Sequence, residues 1–126
     1  MGDLTKNFSR KEFACPCCGK MPEGPEFDEF IKALQRARTR ANVIFNISNG
    51  GGFRCDEYSK DNDLSLDSSH NIGVAADILV YSSMDRYFVI SSLIYEGFDR
   101  IGDYPAHVHV DSDKNKHIAF WWKDYK

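Results

Sequence analysis

Apolar residues recur along this chain with two periods, and these divide it into elements. From Pro25 onward, Phe27, Phe30, Ile31, Leu34, Ala37 and Ala41 fall three or four residues apart, with Arg36, Arg38 and Arg40 off that face. The pattern predicts an amphipathic, core-packing helix, and Pro25 suits its first position. A second helix is expected after Ser82 or Ser83, either of which can cap it. Its apolar face would be Phe88, Ile90, Leu93 and Ile94, and Gly97 would end it. Ser9-Arg10-Lys11-Glu12 has the spacing of a capping box, so a short helix is expected there too. Alternating or β-branched runs predict strands over Val43 to Ser48, Val74 to Val80, Phe98 to Gly102, Val108 to Val110 and Ile118 to Trp122. Trp121 and Trp122 alternate across the last of these, one facing the core and the other the surface.

The intervening segments carry turn chemistry. Cys15 to Pro25 is rich in glycine and proline, Asn49-Gly50-Gly51-Gly52 reads as a flexible turn, and Asp56 to Asp67 is a polar surface loop without period. The glycine run lacks the Lys-Ser/Thr and following helix of a phosphate-binding loop. Asp61, Asn62, Asp63 and Asp67 lack the glycine and terminal glutamate of a calcium loop. The sum is an α+β fold, helices packed on a small antiparallel sheet.

At 126 residues the chain is expected to form a single domain, 1–126, and to be a monomer. A formal net charge of −3 and the absence of a Lys/Arg run give no electrostatic basis for nucleic-acid binding. No apolar run approaches the roughly 18 residues of a membrane span, and no basic and apolar leader opens the chain. The expectation is synthesis in the cytoplasm without Sec export.

Histidine placement changes the picture. Three of the four histidines lie in two short pieces, Ser68 to Asp77 and Ala106 to Asp111. On a strand, His107, His109 and Asp111 share one face and Val108 and Val110 the other, with same-face neighbours about 6.5 Å apart. His70 lies in a loop that leads into the strand carrying Asp77. Two imidazoles, one carboxylate and an open position make a plausible catalytic zinc site.

The ordered set Ser68-x-His70-x-x-Gly73-x-Ala75-x-Asp77, followed by His109-Val110-Asp111, resembles the zinc D-alanyl-D-alanine carboxypeptidase and endolysin-peptidase family, which shares its fold with the hedgehog signalling domain. Phe53-Arg54-Cys55, the stretch from Gly97-Phe98 to Tyr104-Pro105, and Phe8-Ser9 to Phe13 extend the likeness over most of the chain. The resemblance implies a zinc peptidase that cuts a peptide bond next to a D-amino acid in peptidoglycan stem peptides. Such an enzyme would reach the wall after release or delivery, as in phage or prophage lysis. The implied metal ligands are His70, Asp77 and His109. Arg54 matches an arginine that holds substrate near the metal, Ser68 would hold the loop or orient a ligand, and Tyr104 would line the cleft. Many relatives carry an acidic residue three before the last ligand, where this chain has Ala106. His107 is the first replacement as general base, and Asp111 the second unless it orients His109. The alternative is a non-catalytic zinc-containing wall-binding or virion structural module.

Cys15, Cys17, Cys18 and Cys55 leave three readings open: a second, structural zinc, reduced buried thiols, or a disulfide from Cys55 to the amino-terminal cluster.

Overall fold

Local chemistry starts each helix in the computed structural model, which describes residues 2–123. The expected capping box joins Ser9 and Glu12 ahead of α1 (Arg10–Phe13). Pro25 opens α2 (Pro25–Ala41), and Asn42 closes it with a left-handed φ of 54°. The Cys55 sulfur accepts from the Tyr58 amide to start α3 (Asp56–Asp61), where a loop was expected from the polar sequence. Ser82 caps α4 (Ser83–Tyr95) by accepting from the Asp85 amide.

Five strands form one sheet: β1 (Asn46–Ile47), β2 (Ala75–Leu79), β3 (Arg100–Asp103), β4 (His107–Asp111) and β5 (Ala119–Trp122). Their spatial order is β1-β2-β4-β3-β5. The fold is α+β as expected, but the sheet is mixed rather than wholly antiparallel, because β5 runs parallel to β3. The cause is topological. β4 is already flanked by β2 and β3, so the chain reverses after β4 and joins the outer edge of β3 in the direction of β3 itself.

The core lies on the helical side of the sheet. Phe30 and Leu34 of α2 and Val89 and Leu93 of α4 cluster with Ile78 of β2 and with Val108 and Val110 of β4. Phe30 also meets Phe98 edge to face, 5.9 Å between centroids. Burying each such side chain contributes about 1.5–3 kcal/mol. Phe8, Phe13, Phe27 and Phe45 form an aromatic extension that ties the amino-terminal segment to α2.

Two expected details differ. The buried face of α4 is Val89, Ser92 and Leu93, whereas Phe88 and Ile94 are 37% and 56% exposed. The helix carries apolar residues on more than one face, and packing on α2 selects the Val89–Leu93 stripe. The strand expected over 43–48 pairs only at Asn46 and Ile47, opposite Leu79 and Ile78. Beyond them the glycine turn takes over, as the Asp77 amide donates to Gly51 O at 2.9 Å. Among the described residues no helix is long and apolar enough to cross a membrane.

Candidate metal centres

Alternation along β2 and β4 decides what faces away from the core. Val108 and Val110 turn inward beside Ala76 and Ile78, which leaves Asp77, His107, His109 and Asp111 on the opposite face. Asp77 is paired directly across from His109 in the register. His70 arrives from the loop before β2, where Gly73 adopts a φ of 82° with Pro22 packed tightly against its α-carbon.

These placements bring three of the expected residues to one point. His70, Asp77 and His109 each offer a ligand atom, and those atoms lie within 4.8 Å of one another. Asp77 Oδ1 is the hub, 2.9 Å from His109 Nδ1, 3.3 Å from His70 Nε2 and 3.8 Å from His107 Nε2. The rings are oriented from behind. His70 Nδ1 lies 2.8 Å from Gly52 O, and a carbonyl can only accept, so this nitrogen is the donor. The other ring nitrogen, Nε2, then faces the Asp77 carboxylate, where an ion could be held between them. His109 donates through Nε2 to Asp111 Oδ2 at 2.7 Å, which turns Nδ1 toward Asp77. This is the carboxylate–histidine pairing that fixes metal-ligating imidazoles. The donor set of two imidazoles and one carboxylate fits zinc.

The glycine run proves to be a built part of the site instead of a flexible turn. A Cβ on Gly52 would stand 2.6 Å from Phe13 Cα, and one on Gly51 would stand 2.3 Å from Ser48 Oγ. The Phe53 amide donates to Phe13 O at 2.8 Å, so the carbonyl that orients His70 is pinned to α1.

The remaining expected residues take definite places. Arg54 is at the site, its Nη2 donating to Asp77 Oδ2 at 3.3 Å and its Nε to Gly50 O at 2.7 Å. Ser68 Oγ accepts from the His70 amide at 3.2 Å, which holds the ligand loop. Tyr104 stacks on His107, with centroids 4.6 Å apart and planes 10° from parallel. Asp111 stands behind His109 with its side chain fully buried, Oδ1 accepting from Arg100 Nε at 2.7 Å and from the Asp113 amide at 3.0 Å. That position makes it the orienting partner of His109 and not a proton acceptor on the open side.

Sequence reasoning missed several supports. Ser69 donates to Asp113 Oδ2 at 2.8 Å in the interior. Trp121, given no role from the sequence, covers Gly102, lies 5.5 Å from the His109 ring and donates to the Tyr104 hydroxyl at 3.0 Å. Arg100 would have been visible only through the pairing of β3 with β4.

Electrostatics follow from these contacts. Burial alone would raise the Asp77 carboxyl, but hydrogen bonds from His109 and His70 outweigh it and hold the group well below the usual carboxylate range. Burial alone would lower His109, yet its bonds to Asp111 and Asp77 raise it. His107 moves the other way: burial, opposed only in part by Asp77, pushes it below its ordinary value.

A second cluster gathers about 40 residues of chain separation into one point. Cys15, Cys17, Cys18 and Cys55 bring their sulfurs within 4.8 Å of one another and could hold a metal ion. All four are free thiols. Cys17 and Cys55 are 3.3 Å apart, beyond the roughly 2.05 Å of a disulfide.

No protein-family model, curated protein or solved structure matches this chain.

Proposed function

We propose that this protein is a zinc metallopeptidase of the D-alanyl-D-alanine carboxypeptidase and endolysin class, hydrolysing a peptide bond beside a D-amino acid in bacterial peptidoglycan. The observation that carries this reading is the convergence of His70 Nε2 and His109 Nδ1 on Asp77 Oδ1, with His107 next to them. Zinc held by those three residues would polarise a carbonyl and lower the pKa of bound water to about 7.

The chain supplies the rest. His107 is on the same strand face as His109, 27% exposed, and its depressed basicity leaves a lone pair available at neutral pH. It accepts the proton that an acidic residue at position 106 would take in relatives. Tyr104 stacks on the ring and Trp121 holds the Tyr104 hydroxyl, so the base is held in one orientation. Arg54 occupies Asp77 Oδ2 and thereby reserves Oδ1 for the ion. The guanidinium also presents a planar cationic group beside the site, suited to a substrate carbonyl or carboxylate. Asp111 and Gly52 O keep the two imidazoles in the ligating tautomers.

The test is mass spectrometry of purified peptidoglycan fragments incubated with zinc-loaded protein, beside a His70→Ala control. A new fragment that requires His70 is expected, and its mass names the bond. Fragments left intact across a panel of wall chemistries, with zinc confirmed at the site, would overturn the enzymatic reading. The second reading is then a non-catalytic zinc-bearing wall-binding or virion module, which the exposed Ala106, lacking any carboxylate, favours.

A further inference from the structure

The geometry points to a second, structural metal centre: we propose that Cys15, Cys17, Cys18 and Cys55 together hold a zinc ion that staples the amino-terminal turn to the segment carrying Gly52 and Arg54. Sulfurs about 2.3 Å from a central zinc in a tetrahedron are about 3.8 Å apart. The sulfur separations are 3.6 Å for Cys15 to Cys17, 3.5 Å for Cys15 to Cys55 and 3.3 Å for Cys17 to Cys55, with Cys18 inside the same cluster. Thiols brought this close without forming a bond repel once ionised, and a thiophilic cation at their centre removes that conflict.

The backbone is shaped to the same end. Cys15 to Cys18 form a Cys-x-x-Cys turn that Gly19 closes with a left-handed φ of 72°. The Gly19 amide donates to Cys15 O at 2.8 Å, and the Cys15 amide to Lys20 O at 2.9 Å. Amides also aim at the sulfurs: Cys55 N lies 3.4 Å from Cys15 Sγ, and Tyr58 N lies 3.4 Å from Cys55 Sγ. Such donors stabilise thiolates in the ligating form. Cys17 and Cys18 are exposed, so hydrophobic burial does not account for them.

The ligands come from two separate stretches, which gives the site its purpose. Cys55 follows Arg54, the partner of Asp77, and lies three residues after Gly52, whose carbonyl orients His70. Cys15 follows α1, whose Phe13 carbonyl receives the Phe53 amide. An ion bound to all four sulfurs therefore braces the wall of the His70–Asp77–His109 site without touching it. This inference does not depend on that site being catalytic.

The test uses the full chain carrying His70→Ala, which removes the first site. Metal content of the purified, reduced protein should be one zinc per chain. Cobalt added after chelation should give the near-ultraviolet thiolate-to-metal band and strong visible absorption of a tetrahedral ion. Restoring zinc should raise the melting midpoint by several degrees over the stripped form. The double substitution Cys17→Ser with Cys18→Ser changes exposed positions only, and should abolish the cobalt band. Iron in place of zinc, a cobalt spectrum without the thiolate band, or a melting midpoint unmoved by zinc would overturn the assignment. If the His70→Ala chain fails to fold, the same band and a stoichiometry of two zincs in the unaltered chain decide the question, one zinc without the band refuting it. Loss of peptidase activity leaves these readouts unaffected, so failure of either reading shows separately.

Discussion

Replacing Asp111 with asparagine tests whether the His70–Asp77–His109 cluster is a metal site. The substitution keeps shape and volume. Asn Oδ1 can still accept from Arg100 Nε and the Asp113 amide, the two donors that now bond Asp111 Oδ1 at 2.7 and 3.0 Å. The exchange also removes the anion of the buried Arg100–Asp111 ion pair, so it costs the fold about 3 kcal/mol. The change at His109 is of a different kind. The Asp111 oxygen 2.7 Å from His109 Nε2 becomes an amide nitrogen, which donates. Nε2 must then accept, and the ring proton moves to Nδ1, the nitrogen aimed at Asp77 and at the point where a metal would bind. Loss of such an orienting carboxylate lowers metal affinity about 10- to 100-fold, equivalent to about 1.4–2.8 kcal/mol. Competition against a chromogenic chelator measures the zinc affinity, with the His70→Ala chain run alongside to subtract zinc bound elsewhere. A melting curve confirms that Asp111→Asn is folded. A folded Asp111→Asn protein whose affinity stays within twofold of the parent would refute the metal reading of this cluster.

Other outcomes follow from the same contacts. His107→Ala should leave zinc content unchanged and lower kcat on wall fragments by about 10²- to 10⁴-fold, and an unaltered kcat would remove His107 as the base. Because bonds to Asp77 and Asp111 raise His109, a proton must leave its Nδ1 when metal binds. Zinc affinity should accordingly fall as pH drops below neutrality, read by the same chelator competition, and a flat profile would contradict the assigned geometry. Leu34→Ala empties a fully buried position at the centre of α2 and should cost about 2–5 kcal/mol in urea unfolding. At Gly73, with a φ of 82°, an alanine Cβ would stand 2.3 Å from Pro22 Cβ. Gly73→Ala should cost about 1–3 kcal/mol in the same assay and weaken zinc binding by shifting the His70 loop.

How much of this was legible depends on where each element gets its stability. The α2 stripe was readable because its six apolar positions repeat over a 17-residue helix and all are buried as the period requires. α3 was not, since it has no apolar stripe. Its start is set by the sulfur of Cys55, and its buried residue, Ser59, is held by Asn71 across 12 residues of chain. No local window contains that information. The shortness of β1 is likewise a tertiary result, because the Gly51 carbonyl takes the Asp77 amide that a longer strand would have used. The direction of β5 is fixed by which sheet edge was already occupied, a property of the whole topology.

Within the site, the side chains that converge on one point were visible and their supports were not, and Asp77 shows why. Its Oδ1 is approached by three imidazoles and its Oδ2 by Arg54, a demand on one carboxylate that local sequence spacing cannot express. Strand alternation reveals that His107, His109 and Asp111 share a face, but pairing β2 with β4 decides that Asp77 lies opposite His109. The tautomers depend on still more distant groups. Gly52 O, held against α1, commits Nδ1 of His70, and Asp111, anchored by Arg100 of β3, commits Nε2 of His109. With one nitrogen of each ring engaged from behind, the other has no choice but to face the same oxygen. Two nitrogens and a carboxylate so constrained can be bridged by ring protons or by a cation, and a metal ion at that point would engage all three ligand atoms with both rings already oriented for it.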